Sequence, residues 1–219
     1  MKSKHFAVLG LGNFGSVVVV ELLELKCRVT AVDRDRTRLE SLQRHSQLDA
    51  IVGDATDRSL LESMDVEQFD AVIVSTGEDS HASILITMHL HELGAKKIVV
   101  QANSNDHAKI LALVGAERTV IPEQEMAAKL AHSFAQPNLI DFLPLSGDYI
   151  VAEIEAPARL RNEKLKDLNL RIRFNVQGLA IKEDDNGSID FAPGGEHTIR
   201  KGHRLLVLGT EENINKLRE

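Results

Sequence analysis

The sequence predicts an α/β protein, with a Rossmann-like, doubly wound parallel sheet over residues 1–135 and a small α+β domain over residues 136–219. Three observations support this prediction. A G-x-G-x-x-G loop follows the first apolar segment, apolar segments and helical patterns alternate along the first part, and the pattern changes after residue 135. Strands that are apolar throughout and alternate with helices are typical of a buried parallel sheet.

The first domain is predicted to contain six strands and six helices. The strands are Phe6–Leu9, Val29–Val32, Ala50–Val52, Ala71–Val74, Ile98–Val100 and Val120–Ile121. The helical patterns are Val17–Leu25, Asp35–His45, Asp57–Met64, Ser80–Leu93, Asn105–Val114 and Glu123–Phe134. Six strands are the number expected of a complete doubly wound sheet.

The second domain begins at Gln136-Pro137-Asn138, which is typical of a domain boundary. Asp185-Asn186-Gly187 predicts a hairpin turn. One short helix is predicted around Leu160, Leu165 and Leu168, and another at Glu211–Leu217. The predicted strands are Leu139–Leu145, Tyr149–Glu155, Val176–Lys182, Ser188–Phe191 and Arg204–Leu208.

The glycine-rich loop predicts a site for the phosphates of a nucleotide. Gly10 permits a tight turn, Gly12 lets a phosphate approach the backbone, and Gly15 lets the helix pack on the strand. Asp33 follows the second apolar strand, where it would accept hydrogen bonds from a ribose diol. The alternative is a tight strand-to-helix turn that binds no ligand.

Composition excludes several classes of protein. The net charge is −7 and neither domain is basic, so we do not expect nucleic-acid binding. The single cysteine, Cys27, excludes an internal disulfide and fits a reducing compartment. No stretch approaches the length of an apolar membrane span, and no signal peptide is apparent, so a cytoplasmic location is expected.

The sequence contains no constellation that is typical of an enzyme active site. Metalloprotease and nucleophile-elbow motifs are missing, and Tyr149 is followed four residues later by Glu153 rather than by a lysine. His89 and His91 are two residues apart on a predicted helix, so they face different directions. We therefore expect a non-catalytic protein that binds a nucleotide.

Five ordered segments resemble the regulator of potassium conductance family. They are F-A-V-L-G-L-G-N-F-G, A-V-D-R-D, V-G-D-A-T-D, V-S-T-G-E-D and G-A-E-R-T-V-I-P-E. F-A-P-G-G-E-H-T-I-R-K-G-H-R-L-L-V-L-G resembles the C-terminal domain that accompanies this fold. The resemblance covers essentially the whole chain, and within the family it points to the cytosolic gating subunits of bacterial Ktr/Trk potassium-uptake systems.

The resemblance implies a nucleotide site for ATP, ADP, NAD or NADH. Residues of the glycine loop would surround the phosphates, Asp33 would bind ribose, Asp54 and its neighbours would lie by the adenine, and Glu78 would help to close the other side. For Asp54 and Glu78 the alternative role is helix N-capping. For Arg34, Arg36 and Arg38 a solvated surface is the preferred interpretation. The candidate contacts are Gly10, Gly12, Asn13, Phe14, Gly15, Asp33, Arg34, Asp54, Ala55, Thr56, Thr76, Gly77 and Glu78.

Further implications concern ions and second ligands. Glu123 would approach the terminal phosphate or a divalent cation there. Asn13 stands where many ATP- or ADP-responsive relatives carry arginine. Because asparagine supplies no charge, NAD(H) is a serious alternative to ATP or ADP as the ligand. Some relatives bind cyclic di-AMP in the C-terminal domain, a role that Arg171, Asn175 and Pro193 would serve here, although a structural role is favoured for them. His203 replaces a common aspartate and is expected to cap a turn.

The resemblance implies a regulatory subunit. Homodimers would assemble into a ring, in some cases an octamer, and nucleotide binding would change the conformation of that ring. The ring would gate a membrane potassium-transporting subunit and would be peripheral to the inner face of the membrane. The alternatives are an NAD-dependent oxidoreductase and an NAD-sensing transcriptional regulator. The second is disfavoured because the chain is acidic and has no basic helix-turn-helix.

Overall fold

The computed structural model describes residues 4–42, 46–135, 139–145, 147–183 and 188–218. The chain forms two compact units, Met1–Glu125 and Met126–Glu219. This division falls within a helix, whereas the sequence places the domain boundary after residue 135. Residues 136–138, on which that prediction rests, lie outside the described part of the chain.

The first unit contains a six-stranded parallel sheet in the order β3-β2-β1-β4-β5-β6. The chain runs outward from β1 in one direction as far as β3 and then returns to β4, on the other side of β1. This reversal creates a crevice at the carboxyl ends of β1 and β4, where doubly wound sheets bind ligands. The strands are β1 (His5–Leu9), β2 (Arg28–Asp33), β3 (Leu48–Val52), β4 (Ala71–Val74), β5 (Ile98–Gln101) and β6 (Arg118–Val120).

A helix follows each of these strands, as predicted. They are α1 (Asn13–Glu24), α2 (Arg36–Glu40), α3 (Arg58–Ser63), α4 (Ser80–Glu92), α5 (Asn105–Leu113) and α6 (Pro122–Ala135). A short 3₁₀ turn at Val66–Gln68 precedes β4. Two boundaries differ from the prediction by four or more residues, and the others differ by at most one. Helix α1 begins at Asn13 rather than Val17, because Gly12 is its N-cap. Helix α2 ends at Glu40 rather than at His45, and residues 43–45 lie outside the described part.

The central strands are buried on both faces of the sheet. Ala7 and Leu9 of β1 pack in one apolar cluster, whereas Val8 packs in the cluster on the opposite face. Every residue of β4 is buried. This two-sided burial explains the continuous apolar strands of the sequence. It also fixes the positions at which the loops after β1, β2, β3 and β4 leave the sheet.

The second unit contains an antiparallel sheet in the order β10-β9-β11-β8-β7. The strands are β7 (Leu139–Pro144), β8 (Tyr149–Glu155), β9 (Gln177–Lys182), β10 (Ile189–Asp190) and β11 (Arg204–Thr210). All five were predicted. The bounds of β8 are those predicted, and the ends of the other four differ by one or two residues. Strands β9 and β10 flank the predicted hairpin turn at Asp185–Gly187, which lies outside the described residues.

One helix prediction for the second unit is wrong. The apolar spacing of Leu160, Leu165 and Leu168 predicts one helix, but the structure has a 3₁₀ turn at Ala158–Leu160 and then two short α-helices. These are α7 (Leu165–Leu168) and α8 (Leu170–Phe174), followed near the C-terminus by α9 (Glu211–Arg218). Asn169 adopts a left-handed conformation, with φ of 46°, and so separates α7 from α8. Among the described residues, no helix is both long and apolar enough to cross a membrane.

Candidate functional site

Two glycines of the loop after β1 lie so close to neighbouring backbone atoms that no side chain would fit there. Gly10 has φ of +94°, and a Cβ there would lie 2.1 Å from the carbonyl oxygen of Ser75. A Cβ on Gly15 would lie 2.0 Å from the carbonyl oxygen of Gly10. Gly12 differs, because no heavy atom of the other described residues, its chain neighbours aside, lies within 4 Å of its ideal Cβ position. The middle glycine therefore faces open space, as a phosphate-accepting position should.

The N-terminus of α1 opens at Gly12 without a side-chain cap. Gly12, as the N-cap, has no side chain that could accept a hydrogen bond from the first turn, and that turn contains no acidic residue. The first N–H groups of a helix have no partner within the helix, and the helix dipole makes this end electropositive. The arrangement suits an anionic group such as a phosphate.

Asp33, at the end of β2, holds the glycine loop in place. Its Oδ2 accepts a hydrogen bond from the Leu11 N–H at 2.6 Å, and its Oδ1 accepts one from the Asp35 N–H at 2.8 Å. The Arg38 guanidinium lies 3.5 Å from Oδ2, and the Asp33 side chain is only 9% exposed. An ionised carboxylate has about four acceptor positions, so Asp33 keeps capacity for a ribose hydroxyl.

Most of the predicted contact residues meet in one cleft of about 420 Å³ at the carboxyl ends of the strands. Phe14, Gly15, Glu78 and Glu123 are not among the residues that line it. The predicted residues that do line it are Gly10, Gly12, Asn13, Asp33, Arg34, Asp54, Ala55, Thr56, Thr76 and Gly77.

The turn between β4 and α4 forms one wall of the cleft. Gly77 has φ of +62°, and the Thr76 hydroxyl donates to the Asp79 carbonyl oxygen at 2.9 Å. Asp79 caps α4, since its Oδ1 accepts from the Ala82 N–H at 2.9 Å. The capping role considered for Glu78 therefore belongs to the next residue, and the exposed Glu78 side chain does not line the cleft.

Arg34 and Asp54 connect the loops that follow β2 and β3. Arg34 Nη2 lies 2.7 Å from both Oδ1 and Oδ2 of Asp54. The N–H and the hydroxyl of Thr56 also donate to Oδ1, at 2.9 and 2.6 Å. The hydrogen bonds from Arg34 and Thr56 lower the pKa of Asp54 to about 2. Asp54 is not a helix cap, because the N-cap of α3 is Asp57.

Sequence reasoning missed several residues that line the cleft. Asp79 carries a detectable signal, an acid directly before a helical pattern. Arg38 carries no such signal, because the sequence does not reveal whether an exposed arginine has a carboxylate beside it in the folded protein. The residues that were missed are Leu9, Val32, Arg38, Gly53, Ser75, Asp79, Ala82 and Ile86.

The structure gives less support to the predicted cation site at Glu123 and to a second ligand site in the C-terminal domain. Glu123 is exposed in the first turn of α6, and within the described ranges no group of three His, Cys, Asp or Glu residues is placed to hold a metal. In the second unit, a groove of about 360 Å³ includes Arg171 and Pro193 but not Asn175. His203 does cap a turn, because its Nδ1 accepts from the Arg200 N–H at 3.3 Å.

Comparisons with known proteins match two family models to this chain, one in each unit. Residues 6–122 match the family model of the TrkA-N domain, and residues 150–219 match that of the TrkA-C domain. The chain belongs to the TrkA family. Ktr system potassium uptake protein C of Bacillus subtilis (strain 168) is 36% identical to this TrkA-family chain over 213 residues, covering 97% of this chain and 95% of that protein.

Two further Ktr proteins match at similar levels. Ktr system potassium uptake protein A of B. subtilis is 33% identical over 216 residues, with 99% of this chain and 96% of that protein covered. The protein A of Vibrio alginolyticus is 33% identical over 217 residues, with 98% and 97% covered.

Solved structures confirm the fold. The crystal structure of the GsuK RCK domain matches with a TM-score of 0.55 and 21% identity over 99% of this chain. The match spans only 46% of that solved chain. The GsuK channel bound to NAD matches with a TM-score of 0.52, also at 21% identity, over 99% of this chain and 38% of that chain.

Proposed function

We propose that this chain is a nucleotide-sensing regulatory subunit of a Ktr-type potassium-uptake system. Adenine nucleotides bind in the cleft of the first unit, and their binding controls a separate membrane potassium transporter. The subunit performs no chemistry of its own, and it is held at the inner face of the membrane through its partner. The family and the Ktr relatives support the potassium-uptake role, and the cleft supports nucleotide sensing.

One observation carries the nucleotide assignment. The uncapped N-terminus of α1 opens at a glycine with free space before it, and the same cleft contains the nearly buried carboxylate of Asp33. These are the two groups that a nucleotide needs, one for its phosphates and one for its ribose.

The charges of the cleft favour a ligand with few phosphate charges. Arg34 and Arg38 line it, but each already lies beside an aspartate. Asn13, at the first position of α1, adds a hydrogen-bond donor without a charge. NAD(H) and ADP therefore need less compensation than ATP, whose extra phosphate would require a divalent cation. Among chains of similar fold, GsuK has been solved with NAD and with ADP.

Assembly of several copies would connect the cleft to a transporter. Met126, Leu130 and Phe134 follow one another at four-residue spacing on α6 and are all more than half exposed. Side chains at this spacing share one face of a helix. We propose that this face packs against a second copy, and that dimers assemble into a ring.

A nucleotide controls such a ring only if it binds one conformation more tightly than another. A nucleotide would touch several loops at once, because its phosphates would contact the N-terminus of α1 and its base would contact the far end of the cleft. A change in the spacing of these loops would therefore change affinity. This differential affinity is the source of the regulatory free energy.

A thermal-shift panel with ATP, ADP, NAD⁺, NADH and cyclic di-AMP, followed by calorimetry, tests the nucleotide assignment. We expect adenine nucleotides to raise the melting temperature, and the effect to require an intact glycine loop. The rival oxidoreductase predicts loss of NADH absorbance with a small substrate. Nucleotides that bind without turnover would favour the regulatory function, and no binding of any of the five would contradict it.

A further inference from the structure

Residues 194–203 of the second unit lie between β10 and β11 and run antiparallel to residues 162–166. In this pairing the Leu165 N–H donates to the His197 carbonyl oxygen at 2.8 Å. Leu165 also lines the groove of about 360 Å³ in this unit, and so does Pro193, which directly precedes the segment. The position of residues 194–203 therefore affects one border of that groove.

Two histidines of this segment lie close together. The ring centroids of His197 and His203 are 5.5 Å apart, and the ring planes are tilted by 54°. His203 is only 7% exposed, and its carbonyl oxygen accepts a hydrogen bond from the Ala156 N–H, directly after β8, at 2.8 Å. The buried Nε2 of His197 has no hydrogen-bond partner in the part of the chain that the structure describes. His203 therefore lies enclosed at the start of β11, the central strand of the sheet.

The hydrogen bond of the His203 ring requires a neutral imidazole. The Arg200 N–H donates to its Nδ1 at 3.3 Å. Because a backbone N–H can only donate, Nδ1 must be unprotonated and the ring proton lies on Nε2. In the imidazolium both ring nitrogens are donors, so two donors would then face each other. Protonation of His203 therefore breaks the contact that caps the turn before β11.

We propose that His197 and His203 form a histidine fastening that holds residues 194–203 in place and is released by mild acid, so that acidification loosens one border of the groove. In this device the neutral pair holds the turn, and a proton on His203 opens it. The inference concerns the second unit alone and does not depend on nucleotide binding in the first.

The surroundings of His203 disfavour its charged form. Burial is the main cause that lowers its pKa below the usual 6.5, and charge repulsion from His197 and Arg200 lowers it further. Glu183, which follows β9, acts in the opposite direction. Since the folded pKa lies below the unfolded one, the stabilisation is fully present above about pH 6.5 and is lost as the pH falls through the folded pKa.

A second contact of the segment does not respond in the same pH range. Glu196 accepts a hydrogen bond from Lys164 Nζ at 2.7 Å and also contacts Lys166. Hydrogen bonds from Lys164 and Lys166 lower the pKa of Glu196, so this carboxylate stays ionised while His203 titrates. All three side chains are largely exposed, so these ion pairs contribute little. We therefore expect mild acid to loosen the segment without detaching it.

Hydrogen–deuterium exchange of the full chain at pH 7.5 and pH 5.5, normalised for the intrinsic exchange rates, tests the histidine fastening. Amides of residues 197–203 and of residues 162–165 should open more often at pH 5.5. Because one proton is bound on opening, the increase should reach at most about tenfold for each pH unit below 6.5.

His203→Asn separates proton release from general destabilisation. The asparagine Oδ1 can accept from the Arg200 N–H in place of Nδ1, but the amide does not titrate. We expect this variant to keep wild-type protection at pH 7.5 and to lose most of the difference between the two pH values. His81→Asn is the matched control, because His81 is exposed on α4 of the first unit. It should keep the full wild-type difference.

An NMR titration of the wild-type chain gives an independent measurement. The His203 ring should titrate below pH 6.5, and the Arg200 amide signal should shift with the same midpoint. A ring midpoint at or above 6.5, or an Arg200 amide that does not follow the ring, would overturn the histidine fastening. Equal protection of the wild type at the two pH values would also overturn it, as would a pH response that survives in His203→Asn.

Discussion

The Asp33 carboxylate accepts a hydrogen bond from the Leu11 N–H at 2.6 Å, and this contact joins the end of β2 to the glycine-rich loop after β1. The loop is therefore held in its ligand-binding shape by the same residue that is proposed to bind ribose. A second bond, from the Asp35 N–H, fixes the other oxygen. Asp33 consequently has a structural role and a proposed ligand-binding role, and the two must be separated experimentally.

A ligand analogue separates the two roles of Asp33. Asp33→Ala leaves the Leu11 and Asp35 N–H groups without this acceptor, so the free energy of unfolding should fall by about 1–3 kcal/mol. The variant should also lose the ribose contact. We therefore expect 2′-deoxy-ADP to bind wild-type protein more weakly than ADP, and the two ligands to bind Asp33→Ala equally. If calorimetry showed that Asp33→Ala still binds ADP more tightly than 2′-deoxy-ADP by the same factor as the wild type, Asp33 would not be part of the ribose site.

Gly12→Asp should abolish nucleotide binding without unfolding the protein. Apart from its chain neighbours, no described residue has a heavy atom within 4 Å of a Cβ at this position, and its φ of −67° is accessible to any L-residue. Aspartate is also a better N-cap than glycine, by a few tenths of a kcal/mol. We expect the melting temperature without ligand to be unchanged or slightly higher, and the shift caused by nucleotide to disappear.

Gly12→Ala is the control for this charge effect. It adds a similar Cβ without a carboxylate, so it should keep a measurable part of the nucleotide response. If Gly12→Asp bound ADP or NAD⁺ as tightly as the wild type, the phosphates would have to lie elsewhere.

The pKa of Asp54 predicts a pH dependence. Its value of about 2 in the folded protein is below the usual 3.8, so the ion pair contributes stability that is fully present above the unfolded pKa. That contribution declines as the pH falls from about 4 toward 2. The stability difference between wild type and Asp54→Asn, measured by urea unfolding, should therefore be constant from pH 8 to pH 5. A carboxyl NMR titration with its midpoint near 3.8 would contradict the assigned Arg34 contact.

The apolar face of α6 predicts self-association. Phe134 is 78% exposed in the single chain, and Met126 and Leu130 lie on the same helix face. Phe134→Asp should shift the oligomer distribution toward smaller species in light scattering. Glu125→Ala, an exposed position on the other side of the helix, should leave the distribution unchanged. A wild-type chain that is monomeric at micromolar concentration would rule out this interface.

The strands and the glycine loop can be predicted because their signals are local. A strand buried on both faces is apolar throughout, as in Ala71–Val74, and a loop under close backbone contact needs glycine, as at Gly10 and Gly15. The break between α7 and α8 escapes prediction because the leucine spacing there imitates a single helix. The interruption depends on the left-handed conformation of one residue, Asn169.

The contacts within the cleft are harder to predict than its location. Arg34 and Asp54 are twenty residues apart, and only the pairing of β2 with β3 brings them together. Arg38 reaches Asp33 from the first turns of a short helix whose solvent-exposed pattern gives no sign of a partner. Sequence therefore identifies the strand ends that form the cleft, whereas the ion pairs depend on tertiary structure.

Potassium uptake by cells that co-express this chain with its Ktr-type membrane partner tests the central claim most directly. We predict that uptake by these cells depends on the chain. We also predict that uptake by membrane vesicles prepared from them responds to ADP, ATP or NAD(H). We also predict that Gly12→Asp removes the nucleotide response while the complex still forms. Uptake that is indifferent to the chain, together with turnover of a nicotinamide substrate by the purified protein, would contradict the regulatory function.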